Sequence, residues 1–146
     1  MRIVVYTDGA CLGGALPRAG WGVWFGAKDE RNCCGRVPGK QTNQRAELFA
    51  ILQALRLTTG ALLICSDSQT SIDTMTVWYK GWLKNGWLTA HRRPVENQPL
   101  IRALLATSAG RDVQYRHVSA HSGIEGNEGA DALAKCGART SCPRPK

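Results

Sequence analysis

The chain has 146 residues, 43% of them hydrophobic and 21% charged, which suits one soluble domain with a real apolar core. No apolar run approaches the roughly 18 residues that span a bilayer. The N-terminal MRIVVYTDGA lacks a cleavage-site pattern, so neither a membrane span nor a signal peptide is expected, and an intracellular location is. The formal net charge of +8 points to a polyanionic partner.

In chain order, RIVVYTD (2–8) is a β-branched run that ends in an acid and a glycine and predicts a central strand. CLGGALPRAG (11–20) predicts a loop, WGVWFG (21–26) a second strand and RNCCGRV (31–37) a third, paired as an antiparallel meander. PGKQ breaks the chain. TNQRAELFAILQAL (42–55) then predicts a helix capped by Thr42 or Asn43 and stopped by Gly60, apolar on most faces yet carrying Glu47 near its start. ALLICSD (61–67) predicts a strand that again ends in an acid. From Ser68 to about Thr76 the chain is polar and helical, and VWYKGWLKNGW (77–87) is a basic, aromatic short helix running into a loop. NQPLIRALLATSA (97–109) predicts an amphipathic helix with Leu100, Leu104 and Leu105 inward, and DVQYRHV (112–118) a half-buried strand. SAHSGIEG (119–126) predicts a loop and NEGADALAKCG (127–137) a helix with Asn127 as its cap and Gly137 as its stop. The tail, 139–146, is expected to be a disordered basic extension of a domain over 1–138.

Three strands, helix, strand, helices, strand and helix make an α/β domain with a mixed sheet and helices on its faces. The strands ending at Asp8 and Asp67 would be parallel. Both acids would then emerge at one carboxyl edge, where open α/β sheets place their sites.

Six cysteines occur, with no C-x-x-C, so their spacing fits no zinc pattern and free thiols are expected. Cys33 and Cys34, adjacent in a strand, would point to opposite faces. Acids are scarce: none lies between Asp73 and Glu96, where Lys80, Lys84, Arg92 and Arg93 fall, and none follows Asp131. Taken singly, Asp8 before Gly reads as a turn residue and Asp67 before Ser as a helix cap. Glu47 and Asp131 sit among apolar and small residues, and a buried ionised carboxylate is expensive unless paired or metal-bound.

YTDGAC, TNQRAEL, CSDS and AHSGIEGNEGADALA resemble, in order and spacing, the motifs of the type 1 ribonucleases H, over about Ile3 to Ala138. WYKGWLKNGW is similar to the basic protrusion of that family's bacterial and eukaryotic members. The resemblance implies a five-stranded mixed sheet of order 3-2-1-4-5 with helices on both faces. It also implies four carboxylates, Asp8, Glu47, Asp67 and Asp131, binding two divalent ions. Two carboxylates 4 Å apart repel by roughly 4 kcal/mol at an effective dielectric of about 20. Cations are therefore needed, and oxygen-only ligands favour Mg²⁺, with Mn²⁺ as a substitute. The activity implied is endonucleolytic hydrolysis of the RNA strand of an RNA–DNA hybrid, leaving 5′-phosphate and 3′-hydroxyl ends. His121 matches the family's mobile histidine loop and, with an intrinsic pKa near 6.5, is expected to move a proton or help release product.

For the hybrid, which must be told apart by its 2′-hydroxyls, the resemblance implies contacts at Cys11, Asn43 and Gln44, with Gly14 where the family has Asn. It implies a DNA-strand phosphate pocket at Lys40, Thr42 and Asn97. Trp78 and Trp82 are expected on the DNA strand, Lys80 and Lys84 on phosphates, and Trp87 in the core. No membrane and no small-molecule cofactor are expected, and a monomer is. Two rival readings remain: a hybrid-binding module without catalysis, and a ribonuclease H domain cut from a reverse transcriptase. With no separate N-terminal hybrid-binding domain expected, processivity should be low.

Overall fold

The computed structural model describes residues 2–140. Strands β1 (Ile3–Leu12), β2 (Arg18–Trp24) and β3 (Cys33–Arg36) form the antiparallel meander; β4 (Leu62–Ser66) and β5 (Val113–His117) add parallel strands on the other side of β1. The sheet order is β3-β2-β1-β4-β5, as expected. Helix α1 (Asn43–Leu57) is capped by the Thr42 side chain, which accepts from the Arg45 amide. It buries Leu48, Ile51, Leu52 and Leu55 with Val5, Val23 and Ile64 in the main core. α4 (Gln98–Ser108) adds Leu100, Ile101 and Leu104 to that core, while Leu105 is only partly buried. α5 (Glu125–Arg139) crosses the opposite face. Added methyls at Gly20 and Gly22 of β2 would strike its backbone at Ala134 and Ala130, so only glycine lets the helix lie this close.

Several boundaries differ from the sequence expectation. β1 continues four residues past Asp8, because Gly9, Ala10, Cys11 and Leu12 keep pairing with Trp21, Gly20, Ala19 and Arg18. Asp8 therefore lies inside a strand, not at a turn, and the loop shrinks to 13–17. After β4 the chain is helical almost without break: α2 (Gln69–Asp73), a π-helical turn (Thr74–Trp78) and α3 (Tyr79–Asn85), ended by Gly86 in the left-handed conformation. α5 starts at Glu125 after Ile124, so Asn127 is not its cap but a buried residue of its first turn. Gly137 does not stop the helix either. An added methyl there would lie 2.4 Å from the Gly35 carbonyl oxygen, so it marks a close approach to β3. The helix runs on to Arg139, and Thr140 follows as its cap; the rest of the tail expected to be disordered lies outside the described residues. No helix among the described residues is long and apolar enough to cross a membrane.

Candidate active site

The parallel register Thr7↔Ser66 brings Asp8 and Asp67 to neighbouring positions, where β4 ends and β1 runs on. α1 meets β1 at this point. A methyl on Gly9 would sit 2.4 Å from the Glu47 amide nitrogen, so the missing side chain is what admits the helix. Glu47, the fifth residue of α1, thus reaches the sheet edge from the face opposite α5. Carboxylate oxygens of Asp8, Glu47 and Asp67 all lie within 4.8 Å of one another.

Asp8 and Asp67 are each held by a hydrogen bond, and Asp8 and Glu47 are buried. Asp8 is 3% exposed and Glu47 5%. The Gly9 amide donates to Asp8 Oδ1 at 2.9 Å, and Asn127 Nδ2 donates to Asp67 Oδ2 at 3.2 Å. Burial, then the charge of Asp67, pushes Asp8 up to about 7, although its contacts with Glu47 and Gly9 favour the ionised form. Burial, then the charge of Asp8, holds Glu47 well above the usual carboxylate range. Glu47 Oε2 is buried with no hydrogen-bond partner. A buried oxygen of that kind is costly. An oxygen-only cluster with an orphaned acceptor fits a hard divalent cation.

Asp131 departs from the four-acid expectation. It is not buried, and it does not join the three-acid cluster. Its Oδ2 pairs with Lys135 Nζ, one turn further along α5, at 2.9 Å. It remains near enough for its charge to press on Asp8. Residue 121 stands exposed in the loop before α5, with a left-handed φ of 56° that is strained for histidine. Ser122 donates to the Ser119 carbonyl at 2.7 Å and folds that loop back on itself.

Of the expected nucleic-acid contacts, Gln44, Trp78, Trp82 and Asn97 line one groove of about 220 Å³, between the start of α1, the helices after β4 and the start of α4. Gln44 Nε2 also donates to Ser71 Oγ. Trp78, 42% exposed, stacks obliquely on Trp82, and Trp82 on Trp87, with centroids 6.1 and 6.0 Å apart. Trp87 is 4% exposed, under the Arg102 guanidinium, and belongs to the core as expected. Lys80 and Lys84 are exposed on the protrusion but do not line the groove. Asn97 takes a left-handed φ of 62° at the start of α4 without a side-chain cap. Lys40 and Asn43 are exposed, and Thr42 is committed to capping α1; neither Lys40 nor Thr42 lines the groove with Asn97. Cys11 lies half-buried beside the Gln41 carbonyl.

Three residues were not singled out for the site from the sequence. Asn127 steadies Asp67; its signal was an amide set among small residues, which read as a cap. Lys135 engages Asp131, and its signal was the i+4 spacing. Gly9 carries no local signal, because its role is an approach from a distant helix.

The RNase H family profile matches residues 1–139. The chain is 45% identical to human Ribonuclease H1 over 145 residues, covering 95% of this chain and 51% of that protein. It is 41% identical to Ribonuclease HI of Caulobacter vibrioides, covering 98% of this chain and 97% of that protein. The chain thus spans about half the length of its human relative and nearly all of the bacterial one. Among solved structures, LC9-RNase H1, described as a type 1 RNase H with the type 2 active-site motif, superposes with a TM-score of 0.76. It is 29% identical, and the match covers 94% of this chain and 72% of that one. With the sheet order, the acidic cluster and these matches in agreement, the chain belongs to the RNase H family.

Proposed function

We propose that this chain hydrolyses the RNA strand of RNA–DNA hybrids by a two-metal-ion mechanism, leaving 5′-phosphate and 3′-hydroxyl ends. The observation that carries this reading is the cluster of Asp8, Glu47 and Asp67 with Glu47 Oε2 buried and unpartnered, in a chain of this family. Asp8, Glu47 and Asp67 would hold the cations, Mg²⁺ or Mn²⁺, with Asp131 as the fourth ligand. When bound, such ions supply charge neutralisation, an activated water and stabilisation of the leaving oxygen.

The chain's own residues do the positioning. Gly9 N–H fixes Asp8, and Asn127 fixes Asp67, so two of the three carboxylates are oriented before any ligand arrives. Asp131 joins by giving up Lys135. His121, on an exposed loop, would carry a proton between the scissile phosphate and solvent. The groove of Gln44, Trp78, Trp82 and Asn97 would seat the duplex beside the acids, with tryptophan faces for sugars or bases and Lys80 and Lys84 for phosphates. Cys11 and Asn43 would sense the RNA strand, and Lys40 and Thr42 a DNA-strand phosphate.

The test is cleavage of end-labelled, sequence-matched RNA–DNA, RNA–RNA and DNA–DNA duplexes, with and without Mg²⁺ or Mn²⁺. Cleavage confined to the RNA of the hybrid, and dependent on the metal, is the expected result. Equal cleavage of all three, or metal-independent cleavage, refutes the assignment. Binding of the hybrid with no cleavage under any condition would instead establish a non-catalytic module.

A further inference from the structure

The face of the sheet under α5 holds a pair of thiols that the proposed chemistry does not use. There β3 and α5 touch backbone to backbone: a methyl added at Gly137 would lie 2.4 Å from the oxygen of Gly35 and 2.8 Å from its nitrogen. Each of these glycines follows a cysteine, Cys34 in the strand and Cys136 in the helix. The register fixes which way Cys34 points. It pairs with Gly22, and a methyl on Gly22 would strike α5 at Ala130 and Ala134, so this position faces the helix. Cys33, its neighbour, turns to the other face and packs against the main core. Cys34 is half-buried, Cys136 is exposed, and both are free thiols. Burial pushes the Cys34 thiol up to about 11, and the Cys136 thiol beside it adds to the rise.

We propose that Cys34 and Cys136 form an intramolecular disulfide when the folded protein meets a low-molecular-weight disulfide, pinning α5 to the edge strand. Accessibility sets the order of events. Cys136, as thiolate, attacks one sulfur of the oxidant, forms a mixed disulfide and expels the first small thiolate. Cys34 then loses its proton to solvent and attacks the Cys136 sulfur, which expels the second. Two electrons leave the protein thiols, and the oxidant departs as two thiols carrying the two protons. The bridge closes a loop that spans most of the chain, the arrangement in which a cross-link restricts the unfolded state most. It also ties down the helix that carries Asn127 and Asp131, and it stands independently of the proposed reaction.

The test incubates the folded full chain with oxidised glutathione, quenches with an alkylating agent and maps the peptides without reduction. The expected product is a Cys34–Cys136 linked peptide lighter by two hydrogens. A rise of several degrees in melting temperature should accompany it and disappear with dithiothreitol. Cys33→Ser should keep both effects. Cys34→Ser should stop at the mixed disulfide on Cys136 with no thermal shift. Exposed Cys136→Ser, the variant least able to disturb folding, should form no bridge at all. A wild-type protein that stops at the mixed disulfide overturns the proposal. So does a bridge from Cys136 to Cys33, Cys142 or a second chain, or a Cys34–Cys136 bridge that forms only in urea.

Discussion

Replacing Asp8 with Asn should disable the site and stabilise the metal-free protein. The carboxylate is raised from its ordinary 3.8 to about 7 by burial and by Asp67. At 1.36 kcal/mol per pH unit, ionising it in the folded protein costs up to about 4 kcal/mol more than in the unfolded chain. The sign follows from linkage: stability is fully present below pH 4 and is lost as pH rises toward 7, because the folded state keeps a proton that the unfolded state releases. Glu47, also raised, acts in the same direction. The amide of Asp8→Asn keeps the Oδ1 acceptor for Gly9 and loses the charge. Thermal melts in a chelator should show wild type losing stability from pH 4.5 to 7.5. At the upper end the variant should melt higher, by up to about 10 °C. Added Mg²⁺ should raise the wild-type melting temperature at pH 8 and leave the variant nearly unmoved. A wild-type melting temperature that does not fall over that range, or a variant no more stable at pH 8, would refute the electrostatic crowding inferred for the cluster.

Asn127→Ala removes the donor that steadies Asp67 and should lower kcat about tenfold with KM within twofold, at a stability loss of about 1–2 kcal/mol; unchanged turnover would make Asn127 purely structural. Lys135→Gln frees Asp131 from an ion pair which, with side chains 45% and 28% exposed, is worth at most about 0.5 kcal/mol after solvent screening. Calorimetry should then show Mn²⁺ binding about twofold tighter with little change in melting temperature, and weaker binding would contradict the competition. Gly9→Ala places a methyl 2.4 Å from backbone that cannot move aside, so a loss of about 3 kcal/mol or more is expected in urea titration. Lys84→Glu should raise KM several-fold and flatten the dependence of hybrid binding on salt, whereas an unchanged salt slope would leave the protrusion a scaffold.

β-branched runs and glycine breaks, which are local signals, made the strands and the shared edge of Asp8 and Asp67 legible; the sheet order and the convergence of Glu47 on those two acids came from the resemblance to the type 1 ribonucleases H. What failed to read is not local. Gly9 and Gly137 look like punctuation, yet each marks contact with an element far away in sequence. Asn127 has the chemistry of a cap, but α5 begins two residues earlier, where Gly126 lies flat on the Tyr6 ring. The amide was then free to face Asp67. Asp131 matched its motif, while its pairing with Lys135 depended on a rotamer that spacing permits but does not select. The helix after β4 outran its polar stretch through a π-helical turn, which leaves Trp78 exposed beside the groove.

The most direct measurement is anomalous diffraction from crystals of the protein soaked in Mn²⁺ with an uncleaved hybrid analogue. Two peaks about 4 Å apart among Asp8, Glu47 and Asp67, with Asp131 turned off Lys135 toward one of them, are the predicted result. Fully occupied hybrid with no anomalous density between those carboxylates would contradict it.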